Sequence, residues 1–180
     1  KDLTGAPTET IFNGNTPEEL VWKKIRTAMT QGYILGAQSK ESPTGSGDAR
    51  DPKTGLSFGH AYTLLGGFEI ENISGGEKRI VHVHESSKPG NERIIKLRNP
   101  WGKGEWNGDW SDKSPQWTES LRQELGHTKS DDGIFFMPFA DFLKYYYDYQ
   151  ICYYHDDYQY SPLKIKSGPS KPTVLEFQVN

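Results

Sequence analysis

The sequence predicts an α+β domain: an antiparallel β-sheet or open barrel with a few flanking helices. Three observations predict it. Residues 58–98 hold runs that alternate apolar and polar side chains, separated by the turn-forming clusters 74–76 and 86–91. Ahead of them, Thr16-Pro17-Glu18-Glu19 opens an amphipathic helical pattern. Behind them, short strand-like runs at 134–137 and 149–154 bracket a helical segment with an aromatic face.

Taken in order, residues 1–15 lack periodicity and read as a loop or linker arriving from upstream. In the first helix, Thr16 serves as N-cap, Pro17 takes the first helical position and Glu19 completes a capping box. Leu20, Val21, Ile25, Ala28 and Met29 form its apolar stripe, Lys23, Lys24 and Arg26 lie outside it, and Gly32 ends it. Residues 33–37 make a short strand. From 38 to 55 the chain is polar, a long exposed loop that is either decoration or a gate. A buried strand at 58–70 and half-buried strands at 79–84 and 93–98 follow, for which an antiparallel meander is the simplest topology. Residues 98–112 then hold three tryptophans and three glycines, which predicts a rigid, specially shaped turn. A helix over 114–125, a turn at 131–133, a strand at 134–137, a helix over 138–147 and a closing strand at 149–154 complete the domain. This places the domain at 1–155, a linker at 156–172, and a following β domain or C-terminal tail from 173 to 180.

Composition narrows the function. A hydrophobic fraction of 33% in 180 residues suffices for one core. Lys and Arg total 21 against 24 Asp and Glu, a formal charge of -3 with no block of one sign, which argues against nucleic-acid or anionic-membrane partners. A protein or small molecule is the expected partner. The single cysteine, Cys152, excludes an internal disulfide and fits a reducing compartment. No apolar run reaches the ~18 residues of a membrane span and no signal peptide is visible, so the expected location is the cytoplasm. Asn72-Ile73-Ser74 matches a glycosylation sequon that such a compartment would leave unused.

Five histidines are candidates for chemistry. His82 and His84 share one strand face, either a metal pair with no third ligand nearby or a solvated face. His127 and His155 stand in unpatterned polar contexts. His60 opens a strand after a glycine and a long polar loop, the position of a strand-end base beside a cleft, although a structural histidine fits there too. A base needs an acceptor that fixes its tautomer, and Asn99 at the end of another strand can supply an amide oxygen, with Trp101 covering the bond. Cys152 reads as a buried core thiol.

Gly59-His60-Ala61-Tyr62, Arg98-Asn99-Pro100-Trp101-Gly102, Glu105-Trp106, Trp110-Ser111-Asp112, Trp117 and Asp132-Gly133-Ile134-Phe135-Phe136-Met137 together resemble the second half of the calpain protease core. Asp2-Leu3-Thr4-Gly5 and the 32–38 region resemble the junction between its halves. The resemblance covers roughly residues 1–155. It implies the second subdomain of a papain-like intracellular cysteine endopeptidase that cuts proteins at limited sites. In that family the nucleophilic cysteine lies on the preceding subdomain, so the partner is that half and this chain alone is expected to be inactive. The resemblance assigns His60 as base, Asn99 as its orienting residue, Trp101 as the shield and Trp106 as the wedge between halves. It also implies calcium held by Glu105, Asp112, Asp132 and a carbonyl near Ser130, a site weakened at Ile134, where calcium-dependent members commonly carry an acid. The stretch from His60 to Asn99 is longer than in typical animal calpains, with the extra residues expected in polar turns away from the cleft. Two alternatives stay open: a non-catalytic scaffold of the same family, and a binding module for peptide or glycan in which Trp101, Trp106, Trp110 and Trp117 form an aromatic platform.

Overall fold

A computed structural model describes residues 5–45, 49–73, 75–85 and 87–155. The expected linker at 156–172 and strand at 173–180 lie outside the described residues, as do residues 1–4, 46–48 of the long loop, and Ser74 of the sequon. The described residues form β1 (Thr8–Phe12), α1 (Glu18–Thr30), β2 (Ile34–Ser39), β3 (Ala61–Asn72), β4 (Lys78–Val81), β5 (Glu92–Arg98), α2 (Glu119–Leu125), β6 (Ile134–Pro138), α3 (Phe139–Tyr145) and β7 (Tyr146–Cys152). Every strand pairing is antiparallel, in the order β1-β7-β2-β3-β5-β6, with β4 paired to β3 off that path. The sheet does not close, so the α+β open-sheet prediction holds. No helix among the described residues is long and apolar enough to cross a membrane.

The expected meander is replaced by a branched arrangement, and the length of β3 explains it. At 12 residues, β3 seats β2 along the first part of one edge and β4 along the last part of the same edge. Its other edge takes β5, from Thr63 opposite Arg98 to Ile70 opposite Glu92. Strand β4 stops at Val81, so His82 and His84 do not alternate along a strand. They lie in a turn closed by Glu85, whose amide donates to His82 O and whose carboxylate accepts from His82 N.

Residues 8–12, expected to be loop, form an edge strand. Five mostly polar residues carry too little alternation to reveal it, and its partner β7 lies at the other end of the domain, with Thr8 opposite Cys152. The last strand is interior for the same reason, flanked by β1 and β2.

Helix α1 starts at Glu18 after Pro17, with no side-chain cap; the Pro17 carbonyl accepts from Leu20 N and Val21 N instead. Its buried face is Val21, Trp22, Ile25, Arg26 and Ala28, while Leu20 is exposed, so the stripe is turned from the expected one. Arg26 goes inside because β3 bulges near Gly66 and β4 ends at Val81, and its guanidinium donates to Gly67 O at 3.4 Å and Val81 O at 3.2 Å. Helix α2 begins at Glu119, later than expected; Thr118 caps it through its side chain, and Gly126 at φ 59° ends it in the left-handed form.

The sheet buries both faces. Ile95, Leu97, Phe135 and Met137 join α1 and α3 in the larger core, while their neighbours Ile94 and Phe136 point the other way, onto Trp110, Trp117, Leu121 and Leu125. Both cores are held by one pair of strands, so the end of β5 is fixed from both sides.

Candidate active site

The antiparallel register brings the site together. Because Thr63 faces Arg98, β3 begins where β5 ends, and the residues just outside those strands, His60 and Asn99, become neighbours. The first residue of β6, Ile134, faces Arg98 at the same end of the sheet. His60 and Asn99 are both buried, Asn99 completely. Their side chains meet through His60 Nε2 and Asn99 Oδ1 at 3.0 Å.

The surrounding bonds fix which proton sits where. Asn99 Nδ2 donates to Lys103 O at 2.8 Å and Gly104 O at 3.1 Å, so the amide nitrogen faces the loop and the oxygen faces the histidine. Asn99 Oδ1 also accepts from Trp101 N at 3.1 Å. An oxygen in this position accepts, so the neutral imidazole carries its proton on Nε2 and presents the Nδ1 lone pair. That lone pair is the basic atom a proton transfer requires. Trp101, itself 52% exposed, lays its ring over the imidazole with centroids 4.0 Å apart, and Tyr62 meets the imidazole edge-on at 4.9 Å. The indole removes water from one face of the pair, which strengthens the His60–Asn99 bond.

The loop after Asn99 is knitted to the turn before β6. Asn99 N donates to Gly133 O at 2.7 Å, and Gly133 N donates to Glu105 Oε1 at 2.7 Å. Only glycine fits at 133, because φ is 85° and a Cβ would lie 2.9 Å from both Asn99 O and Gly102 Cα. The special shape expected of residues 98–112 is also visible at Trp110, whose φ of 62° is left-handed. Its amide donates to Gln116 Oε1 and its indole to Glu92 Oε2, each at 3.0 Å, and these bonds hold that conformation.

The other predicted residues fall into two groups. Glu105 is buried, and burial, with Asp112 and Asp131 nearby, pushes its carboxyl up to about 7. A buried carboxyl facing another acid is a place where a cation would relieve repulsion, and hard oxygen donors suit calcium. Asp132 is instead committed to its own turn: it accepts from Thr128 Oγ1 at 2.8 Å and Ile134 N at 2.9 Å, and Ser130 O accepts from Asp132 N at 2.7 Å. Among the described residues no group of three or more His, Cys, Asp or Glu is placed to hold a metal ion. The four implied calcium donors are therefore brought together only as the Glu105 and Asp112 pair.

Trp106 lies inside the chain's own core, 7% exposed against Tyr145, with its indole donating to Asp109 O at 2.7 Å. Trp110 and Trp117 are buried as well. With three of the four tryptophans inside, they form no aromatic platform. Cys152 is half-buried rather than buried, and it lies opposite Ile34 while Ser39 lies opposite Tyr146. It is thus at the far end of β7 from His60.

One buried histidine went unrecognised in the sequence. His127 donates from Nε2 to Asp112 Oδ1 at 3.0 Å, its Nδ1 accepts from Arg122 Nη1 at 2.5 Å, and its ring stacks on Trp117 at 4.2 Å. Burial pushes its imidazole pKa down, against the pull of Asp112, and the Arg122 donor at Nδ1 suits a neutral ring. Nothing local marks it, since Asp112 reaches it only through the fold of the 98–126 segment.

Comparison with known proteins bears on this geometry. The sequence model described as "Calpain family cysteine protease" matches residues 1–153. Calpain-9 of Rattus norvegicus is 35% identical over 155 residues, 84% of this chain and 20% of that protein. Calpain-type cysteine protease DEK1 of Zea mays is 32% identical over 159 residues, 84% of this chain and 6% of that protein. Calpain-5 of Caenorhabditis elegans is 31% identical over 170 residues, 84% of this chain and 25% of that protein. The chain thus spans about a fifth of the length of the calpain-9 relative.

Proposed function

Since this chain belongs to the calpain family of cysteine proteases, we propose that it is the histidine-bearing second subdomain of an intracellular endopeptidase acting on proteins. The observation that carries the proposal is the His60–Asn99 bond beneath Trp101, with Nδ1 left as the basic atom. In this reading a cysteine of the preceding subdomain meets Nδ1 and transfers its proton there, giving a thiolate and an imidazolium. The thiolate attacks a peptide carbonyl, His60 protonates the departing amine, and water later releases the acyl group with His60 again as base. Asn99 keeps the ring in the productive tautomer throughout. Cys152 takes no part, being at the far end of the sheet. The partner is accordingly the preceding subdomain; the wedge role that the resemblance gives Trp106 would require it to leave this chain's own core.

Calcium belongs to this proposal through Glu105 and Asp112, with Asp132 and the Ser130 carbonyl joining only if the 128–134 turn rearranges. When bound, the ion would supply positive charge between two acidic loops. The test of the enzymatic reading is co-expression with the preceding region and cleavage of a disordered protein. His60→Ala is expected to abolish cleavage, and Asn99→Ala to lower kcat by at least ~100-fold. A wild-type pair that is inert with and without calcium would replace the protease by a scaffold.

A further inference from the structure

His60 is held by its backbone as well as by its ring, and one side chain at the end of β2 takes part in that hold. Strand β2 ends at Ser39, where its pairing with β7 shifts register between Gln38 and Ser39. Opposite it, Gln38 pairs with Ala61, so Ser39 and His60 are the next rung of the ladder. A regular rung would exchange two backbone bonds. One is present: Ser39 N donates to His60 O at 3.0 Å. In the place of the other, His60 N donates at 2.9 Å to the hydroxyl Oγ of Ser39. The same hydroxyl donates to Ser57 O at 2.7 Å, with His60 O at 3.2 Å. Ser39 is 3% exposed, so water cannot take over these bonds.

A hydroxyl is suited to this rung because it accepts and donates at once. It ties the end of β2, the last residue of the 40–57 excursion and the residue preceding β3 at a single oxygen. An alanine there would leave the His60 amide and the Ser57 carbonyl buried without partners. The His60 backbone would then keep only the bond from Ser39 N to its carbonyl, and the imidazole, still held by Asn99, Trp101 and Tyr62, would be free to tilt about that end.

We propose that Ser39 is a positioning residue for His60: its hydroxyl stands in for a backbone acceptor and sets where Nδ1 lies relative to the incoming thiol. This rests on the reading of His60 as the base. The test compares Ser39→Ala, Ser39→Thr and His60→Ala in the protease co-expressed with its preceding region, and follows the His60 Nε2–H proton by NMR in the 180-residue chain. Ser39→Ala is expected to lower kcat about 10- to 100-fold with KM changed less than ~3-fold. The Nε2–H signal is expected to weaken through faster exchange with water. Ser39→Thr, which keeps the hydroxyl, restores both. If Ser39→Ala fails to fold, Ser39→Cys keeps the volume with a far weaker hydrogen-bonding group and is read in the same way. Wild-type kcat and an unchanged Nε2–H signal in a folded Ala or Cys variant, while His60→Ala is dead, would overturn the role of Ser39 alone. An active His60→Ala enzyme would overturn the functional reading beneath it.

Discussion

At the scale of single residues, the site is governed by which polar atoms are denied water. Asn99 is completely buried, and each polar atom of its side chain is committed, two protein carbonyls fixing the nitrogen and two N–H groups fixing the oxygen. That arrangement, more than proximity, selects the His60 tautomer. Asp148 shows the opposite case, a carboxyl buried in β7 with the Gln150 amide as its one side-chain donor among the described residues. Burial raises its pKa. Between the unfolded pKa and this higher folded value, the folded chain keeps a proton that the unfolded chain has lost. Stability therefore falls as pH rises through that window, and the penalty is complete above it. Asp148→Asn, which keeps the acceptor for Gln150, is expected to raise the urea midpoint at pH 7 and leave it unchanged near pH 3.5. Equal gains at both pH values would show that charge is not the cause. His60 and Asn99 were marked in the sequence by their places at strand ends, where a structural histidine also fitted, and they and Trp101 were singled out by motifs that resemble the calpain core. Ser39 and His127 were not, because the partners that define them are set by a strand bulge and by the course of a loop.

At the scale of elements, α1 was legible as a helix but not in its orientation. Its turn positions are written in periodicity, whereas its buried face depends on what the sheet offers. Gly67 lets the helix come close: a Cβ there would stand 3.0 Å from Trp22 and 3.2 Å from Ile25. Arg26 then finds carbonyls that the β3 bulge and the end of β4 leave to it, with the Glu69 charge nearby. Arg26→Ala is expected to cost about 2–4 kcal/mol in urea denaturation, because it strands buried polar groups. Lys23→Ala, on the exposed face of the same helix, should stay within about 0.5 kcal/mol. Comparable losses at both positions would mean that helix propensity, not docking, dominates. The strand β1 was invisible for a related reason: an edge strand takes its identity from the neighbour it joins.

At the scale of the whole molecule, one end of the sheet carries the candidate chemistry while its acidic loop waits on charge. Glu105 and Asp112 face each other at the edge of the loop that begins with Asn99. Calorimetry with calcium is expected to show binding that Glu105→Gln weakens at least ~10-fold, since one carboxylate of so few is lost. No heat and no change in thermal stability up to millimolar calcium would remove the ion from the proposal. The opposite end of the sheet has a different consequence. The chain enters β1 at Thr8 and leaves β7 at Cys152, and these two residues face each other across an antiparallel ladder. Tension transmitted through the flanking segments would load those rungs one at a time, like a zipper, and not all together in shear. The domain is therefore mechanically soft along the line joining its ends, and force would strip β1 away before it reached the imidazole.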